Sequence, residues 1–210
     1  HNQAAFIIVI RGDGERTIVW HRSEELTLDP GELDREAVIS GRVLLVDGQN
    51  HEASIEAARW ARKAGIPVVL DAESTKEGTL DLVRLTDILI SDREFPEKLL
   101  GGTDREAALR EILAMGPAVA CATLGEEGSF AVTKERSIHT RAFGIDCVDT
   151  TGAGDIFHAG FVYGMLRGWD LDRILLFANA TAGASCEGLG GRSVLLSPDE
   201  VAERFLAGRT

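Results

Sequence analysis

The residues with the clearest chemical content run from Asp149 through Thr150, Thr151, Gly152, Ala153 and Gly154 to Asp155, directly ahead of an apolar stretch from Ile156 to Leu166. Glycines at 152 and 154 let the backbone turn sharply and bring bare N–H groups up to an anion, and the positive end of the following helix dipole adds to the attraction. Asp155 falls in the first helical turn, where its carboxylate can take a proton from an attacking hydroxyl. A glycine-rich helix start standing alone reads equally as a tight turn. Seven residues with an acid at each end read as a phosphoryl-transfer centre.

Such a centre must be placed by elements around it, and the hydrophobic pattern supplies them. Ala5 to Ile10 and Arg16 to Trp20 read as two strands joined by a hairpin turn at Gly12-Asp13-Gly14. Short apolar strands then alternate with helical spacing: strands at 43–46, 68–70, 87–90 and 118–123, helices at 51–64, 95–100 and 104–115. This alternation predicts a parallel sheet covered by helices on both faces. Ser129 to Thr133 and Ser137 to His139 read as antiparallel strands, followed by long helices over 153–167 and 171–186 and a last helix started by Ser197 and Pro198. Gly160, Gly164 and Gly168 fall four apart, which suits close packing of the first long helix on the second.

A chain of 210 residues, 44% hydrophobic, is long enough to bury one substantial core. Its net charge of -12 argues against a nucleic-acid partner, which needs a basic face. With four lysines among 22 basic residues a polybasic membrane patch is also unexpected. No apolar run reaches the length of a membrane span and the first residues do not form a signal peptide, so a cytoplasmic location is the expectation. Cys121, Cys147 and Cys186 lack metal-ligand spacing and read as reduced core thiols.

The 149–155 run, together with Phe157, Ala159, Gly160 and Phe161, resembles the C-terminal signature of the ribokinase-like (PfkB) carbohydrate kinases, and the resemblance extends through most of the chain. It implies a three-layer α/β/α fold with a mainly parallel sheet and part of a β lid. Residues 1–22 would be the partial lid hairpin and 23–210 the nucleotide-binding and catalytic core. The resemblance assigns Asp155 as catalytic base and the Gly152, Ala153 and Gly154 amides as the anion hole. Thr123-Leu124-Gly125-Glu126-Glu127-Gly128 resembles the family's T-x-G-x-x-G nucleotide loop, giving Thr123, Gly125 and Gly128 a place at the phosphates of ATP. No G-x-x-x-x-G-K-[ST] motif occurs, so charge on the transferring phosphoryl falls to backbone amides and magnesium, with an arginine as a further candidate.

Other positions carry two readings. Asn179 and Ala182 would flank the adenine, or their small-residue helix simply packs closely. Glu94 stands where the family shows Asn-x-x-Glu and would touch magnesium through water; Ser91 replaces the Asn, and a helix cap at Ser91 with a first-turn acid at Glu94 explains the same residues. Asp149, Thr151, Gly190 and Ser193 would border a potassium ion, whereas Gly188 alone is explained as a helix C-cap. Asp47-Gly48-Gln49-Asn50 and Asp71-Ala72-Glu73 are either ligand loops or turns with helix caps. Arg16, in a segment like the Gly-x-Arg-Thr of ketohexokinase-like members, reaches substrate or faces solvent.

The implied function is ATP- and magnesium-dependent phosphorylation of a sugar hydroxyl, a ketohexose such as fructose being favoured within the ketohexokinase- and fructokinase-like branch. An adenosine or nucleoside kinase, or a non-catalytic nucleotide-binding fragment or subunit, are the alternatives. The lid hairpin would pair with a second copy in a homodimer or fold onto its own domain. Against a typical family member the first third, about 90 to 100 residues, is expected to be missing, and with it much of the acceptor grip.

Overall fold

The computed structural model describes residues 3–9, 16–102 and 104–208. Strands β1 (Ala4–Val9) and β2 (Arg16–His21) form an antiparallel ribbon of their own, with Phe6 opposite Val19 and Ala5 opposite Trp20. The turn expected at Gly12-Asp13-Gly14 lies outside the described residues. A short helix α1 (Arg35–Ile39) follows, capped by Asp34, whose carboxylate accepts from the Glu36 and Ala37 amides.

The centre of the molecule is a six-stranded sheet. Strands β3 (Leu44–Val46), β4 (Val68–Ala72), β5 (Ile88–Ser91) and β6 (Val119–Thr123) lie side by side in parallel. Strands β7 (Ser129–Val132) and β8 (Ser137–Thr140) extend the sheet antiparallel to complete the order. Parallel strands need crossover connections, and the helices α2 (His51–Lys63), α3 (Thr79–Arg84), α4 (Phe95–Leu100) and α5 (Arg105–Met115) occupy them. After β8 the chain forms α6 (Ala153–Leu166), α7 (Leu171–Ser185) and α8 (Pro198–Val201).

Strand alternation sorts the core into two layers. Val68, Leu70 and Ala72 face Ala58, Leu82, Phe95, Leu109 and Ile112 from the α2 to α5 side. Val69, Ile90 and Cys121 face Phe157, Phe161, Leu175 and Ala178 of α6 and α7. Strands buried on both faces must be apolar at successive residues, which is why 68–70 reads as a run rather than an alternation. The result is the three-layer α/β/α arrangement with its mainly parallel sheet.

Two expectations change. Cys121 and Cys186 are buried, and burial pushes the Cys121 thiol up to about 12, but Cys147 is exposed in the segment leading to the glycine run. Gly168 is not part of the packing face: at φ +70 it is the left-handed stop after α6, with Trp169 N–H donating to the Gly164 carbonyl and Gly168 N–H to that of Met165. The helix starts at Ser197 as expected, with Glu200 adding a reciprocal cap, and continues from Ala202 to Leu206 as a π turn.

Gly160 and Gly164 do set the approach of α6 to α7. A Cβ on Gly160 would stand 3.0 Å from the Ala178 Cα, and one on Gly164 would stand 3.0 Å from both Ile174 Cγ1 and Trp169 Cε3. Gly183, on α7, has only Ile145 Cγ2 near, at 3.7 Å. Opposite outcomes follow from the same substitution. Gly160→Ala is expected to lose about 1–3 kcal/mol through overpacking against backbone, whereas Gly183→Ala gains up to about 1 kcal/mol of helix propensity. Urea denaturation of the two variants checks the signs.

Candidate active site

The carboxyl ends of β3, β4, β5 and β6 gather the loops that sequence reasoning singled out, and the start of α6 comes up beside them. Gly152 is the N-cap of α6 at φ +76, a conformation that L side chains rarely adopt. Among the described residues no side chain caps this helix; the Ala153 amide donates to the Thr150 carbonyl at 3.1 Å, while the Gly154 and Asp155 amides, in the same first turn, are left without a side-chain acceptor. Ala153, Gly154 and Asp155 fill the first turn, and the Asp155 carboxylate is exposed and close to Gly152. A Cβ placed on Gly154 would meet nothing within 4 Å. The surface over the helix start is therefore open where a phosphate needs to approach.

Asp149 locks this turn to the loop after α7. Its Oδ1 accepts from Thr151 N at 2.9 Å and from Thr151 Oγ1 at 2.7 Å, and its Oδ2 accepts from Gly190 N at 2.8 Å. The lock brings the two loops into contact, since a Cβ on Gly152 would stand 3.1 Å from the Gly191 Cα. Ser193 Oγ donates to the Gly190 carbonyl at 3.3 Å. Asp149, Thr151, Gly190 and Ser193 are thus linked by hydrogen bonds, and the Asp149 carboxylate is engaged by N–H and O–H groups.

On the other side, Thr123 closes β6 and donates from Oγ1 to the Ser91 carbonyl at 3.1 Å. Gly125 and Gly128 have φ of +62 and +94, and a Cβ on Gly128 would fall 2.0 Å from the Thr140 carbonyl oxygen. Asn179 reaches the same place from α7, its buried carboxamide donating to Ser129 Oγ at 2.9 Å and to the Thr140 carbonyl at 3.3 Å. Ala182 lies partly buried one turn further along. The 123–128 loop and α7 therefore converge on Thr140.

Arg93 was not singled out from sequence, yet it links two of the loops. Its guanidinium donates to the Leu124 carbonyl and, at 2.8 Å, to Glu127. The neighbouring cap is also different from expectation. Asp92, not Ser91, accepts the Glu94 and Phe95 amides, at 2.9 and 2.7 Å, while Ser91 is buried and donates to the Asp92 carbonyl. Glu94 is exposed and ion-paired with Lys98 at 2.7 Å, which lowers its pKa. Among the described residues no group of three or more His, Cys, Asp or Glu could hold a metal by itself. Arg16 sits in β2 with its backbone opposite Val9; its proposed contact lies outside the described atoms.

The β3 and β4 ends are also assigned. Asp47 accepts from the Gln49 amide at 2.9 Å, an Asx turn. Asn50 does not cap α2 with its side chain, and its Oδ1 instead accepts from Arg22 at 2.9 Å and from Leu28 N at 3.1 Å. Asp71 lies within β4, its side chain 15% exposed and 3.5 Å from His158 Nε2. Burial is the main cause that raises its pKa to about 6; His158 lowers it, and Glu73, Asp155 and Asp47 raise it.

The three-layer α/β/α fold thus sets a glycine-rich helix start without a side-chain cap, and a carboxylate in its first turn, at the carboxyl edge of the sheet, where open α/β folds gather their ligands. A family model described as pfkB family carbohydrate kinase matches residues 1–197, and the chain belongs to that family. It is 29% identical over 189 residues to a 5-dehydro-2-deoxygluconokinase of Shouchella clausii, covering 80% of this chain and 58% of the relative. It is 26% identical over 207 residues to a ribokinase of Bacillus subtilis, covering 95% and 67% respectively. The chain therefore spans 58 to 67% of the length of these two relatives. The solved structure of adenosine kinase from Sinorhizobium meliloti superposes with a TM-score of 0.83 at 29% identity, over 96% of this chain and 65% of that one. A ribokinase from Thermotoga maritima shares the fold with the same TM-score at 24% identity, over 98% and 69%. Among the described residues no helix is long and apolar enough to cross a membrane.

Two stability outcomes follow from the geometry. Gly128→Ala is expected to lower the melting temperature by many degrees, whereas Gly154→Val, in open space, leaves it within a few degrees of the parent. The second concerns pH. Asp71 holds its proton more tightly in the native state than in the unfolded chain, so its contribution is full below about pH 4 and is lost as pH rises towards about 6. Asp71→Asn, neutral and of the same shape, is expected to melt higher than the parent above pH 6 and to lose that advantage below pH 4.

Proposed function

We propose that the protein containing this chain transfers the γ-phosphoryl of ATP to a hydroxyl of a carbohydrate. The observation that carries this reading is the uncapped start of α6, with open space above Gly154 and an exposed Asp155 in the same turn. The family supports it, as do relatives named for carbohydrate phosphorylation. Asp155 accepts the proton of the acceptor hydroxyl as its oxygen attacks, and the amides of residues 152–154 hold the charge that gathers on the transferred group. The Thr123, Gly125 and Gly128 loop takes the phosphate side of the nucleotide, and α7 near Asn179 and Ala182 takes the adenine side. Magnesium, approached by Glu94 through water, supplies charge neutralisation at the phosphates when bound. The Asp149, Thr151, Gly190 and Ser193 oxygens form a potassium site that stiffens the anion hole.

Residues 23–210 form the catalytic core on this reading, and residues 1–22 belong to a lid. Phe6, Val19 and Trp20 are exposed on the ribbon, which supports a role in covering the acceptor or in meeting a second copy. The Arg16 segment favours a ketohexose such as fructose as acceptor. A nucleoside acceptor is the second reading, favoured by the 29% identity to an adenosine kinase. A panel of fructose, ribose, 5-dehydro-2-deoxygluconate and adenosine, each assayed for acceptor-dependent ADP release by the intact protein, separates these. Nucleotide binding without release on any acceptor would favour a non-catalytic subunit.

Asp155→Asn keeps the shape of the side chain and removes the proton acceptor. Steady-state kinetics and nucleotide titration are expected to show kcat lower by about 100-fold or more, with ATP affinity within a few fold of the parent. Turnover near the parental rate would rule out Asp155 as the base.

A further inference from the structure

Asp71 and His158 form an acid–imidazole pair that phosphoryl transfer, as set out above, does not use. His158 lies in the turn of α6 that follows Asp155, and its side chain is 5% exposed. Nδ1 is 2.8 Å from the carbonyl oxygen of Gly154, the residue over which the anion-binding surface opens. A carbonyl oxygen only accepts, so Nδ1 carries a hydrogen. In the neutral ring Nε2 is then an acceptor, and it is buried, without a hydrogen-bond partner among the described residues, 3.5 Å from Asp71 Oδ1.

An acceptor nitrogen facing a carboxylate with no hydrogen between them would be repulsive in a site with little water. A single proton removes the conflict, whether it is written on Asp71 or on Nε2, and either form leaves the pair with no net charge. The other groups acting on Asp71 are all acids: Glu73 beyond the end of β4, Asp155 on α6, and Asp47 after β3. They favour keeping that proton. His158 thereby joins the end of β4 to the carbonyl of the residue just before Asp155.

We propose that Asp71 and His158 share one proton and together act as positioning residues for the first turn of α6, which carries the anion-binding amides and Asp155. The role in catalysis rests on the phosphotransferase reading; the proton-sharing pair does not. Three features define the unit. The Nδ1–H bond fixes the Gly154 carbonyl, the shared proton fixes the ring, and the location of Asp71 within β4 fixes both to the sheet. The pair holds the turn without placing a net charge beneath a site that must receive a polyanion.

Two measurements on the intact protein test it. With ¹⁵N-labelled histidine, the Nε2 resonance of His158 at pH 5 is expected to show a shared proton. It moves to the position of an unprotonated ring nitrogen in Asp71→Asn, where no acidic proton remains to share and the carboxamide N–H donates to the neutral ring. An Nε2 resonance that is the same in both proteins overturns the pair, whether or not any acceptor is phosphorylated. In kinetics, His158→Ala is expected to lower kcat about tenfold with the KM for ATP within about threefold. His158→Asn, whose amide can replace the Nδ1–H donor to Gly154, recovers most of the loss at similar melting temperature. Equal kcat in the Ala variant and the parent, or no recovery in the Asn variant, overturns the positioning role. Should the Ala variant fail to fold, an Asn variant no better than tenfold below the parent does the same. A parent that turns over no acceptor overturns the phosphotransferase reading and leaves the resonance to decide the pair.

Discussion

The arrangement around the start of α6 depends on one carboxylate. Asp149 accepts from the amide and hydroxyl of Thr151 with one oxygen and from the Gly190 amide with the other, so a single side chain fixes the strand-to-helix turn and the loop after α7. Hydrogen bonds to a charged acceptor are stronger than neutral ones, contributing about 1.5–3 kcal/mol each when the geometry is good. The close approach of Gly152 to Gly191 follows, and so does the left-handed conformation at 152 that leaves the helix start uncapped. Amides kept free in this way are a cost to the isolated helix.

The same helix is held from behind by shape. Gly160 and Gly164 let α7 approach until backbone meets backbone, and Phe157 and Phe161 fill the space between α6 and the sheet. Further along, Tyr163 stacks on Phe177 at 5.4 Å between centroids while Trp169 packs edge-on against Phe177 at 5.2 Å, closing the end remote from the glycine turn. Position and orientation of α6 are thus set by close approaches at Gly160 and Gly164 together with aromatic packing around them. The glycines of α6 divide accordingly: 152 and 154 serve an exposed surface, 160 and 164 a packed one.

What could be read from sequence was local. Successive apolar residues at 68–70 and 119–122 announce strands buried on both faces, and Ser197, Pro198 and Glu200 announce a helix start, because each signal is complete within a few residues. The T-x-G-x-x-G loop and the 149–155 run were legible for the same reason. Helix α3 was not, since it is a single short segment that begins after Gly78 with no side-chain cap. Cap assignments at Ser91 and Asn50 differed because the deciding partners are elsewhere: the Cys121 strand buries Ser91, and Arg22 and Leu28 draw the Asn50 side chain away from α2. Arg93 and the Asp71–His158 contact belong to the same class, being pairings across the carboxyl edge of the sheet between residues far apart in the chain. Periodicity carries no information about such pairs.

These long-range contacts also bear on a conflict in the electrostatics. Asp47, Glu73 and Asp155 all act on Asp71 in a chain with a net charge of -12, yet the proposed ligand is a polyphosphate. Backbone amides and a helix dipole offer roughly half a unit of positive charge, too little to offset several carboxylates and a nucleotide together. Any charge that can be withdrawn from the protein side therefore matters. In the proposed transfer Asp155 is the proton acceptor, and Asp47 is held as an acceptor in its turn. Asp71 is the acid best able to give up its charge, being the one that is buried and beside an imidazole. At pH values where the pair holds its proton, repulsion beneath the proposed anion site falls without a change at the proposed base, and the remaining excess is what a divalent cation arriving with the nucleotide would have to neutralise.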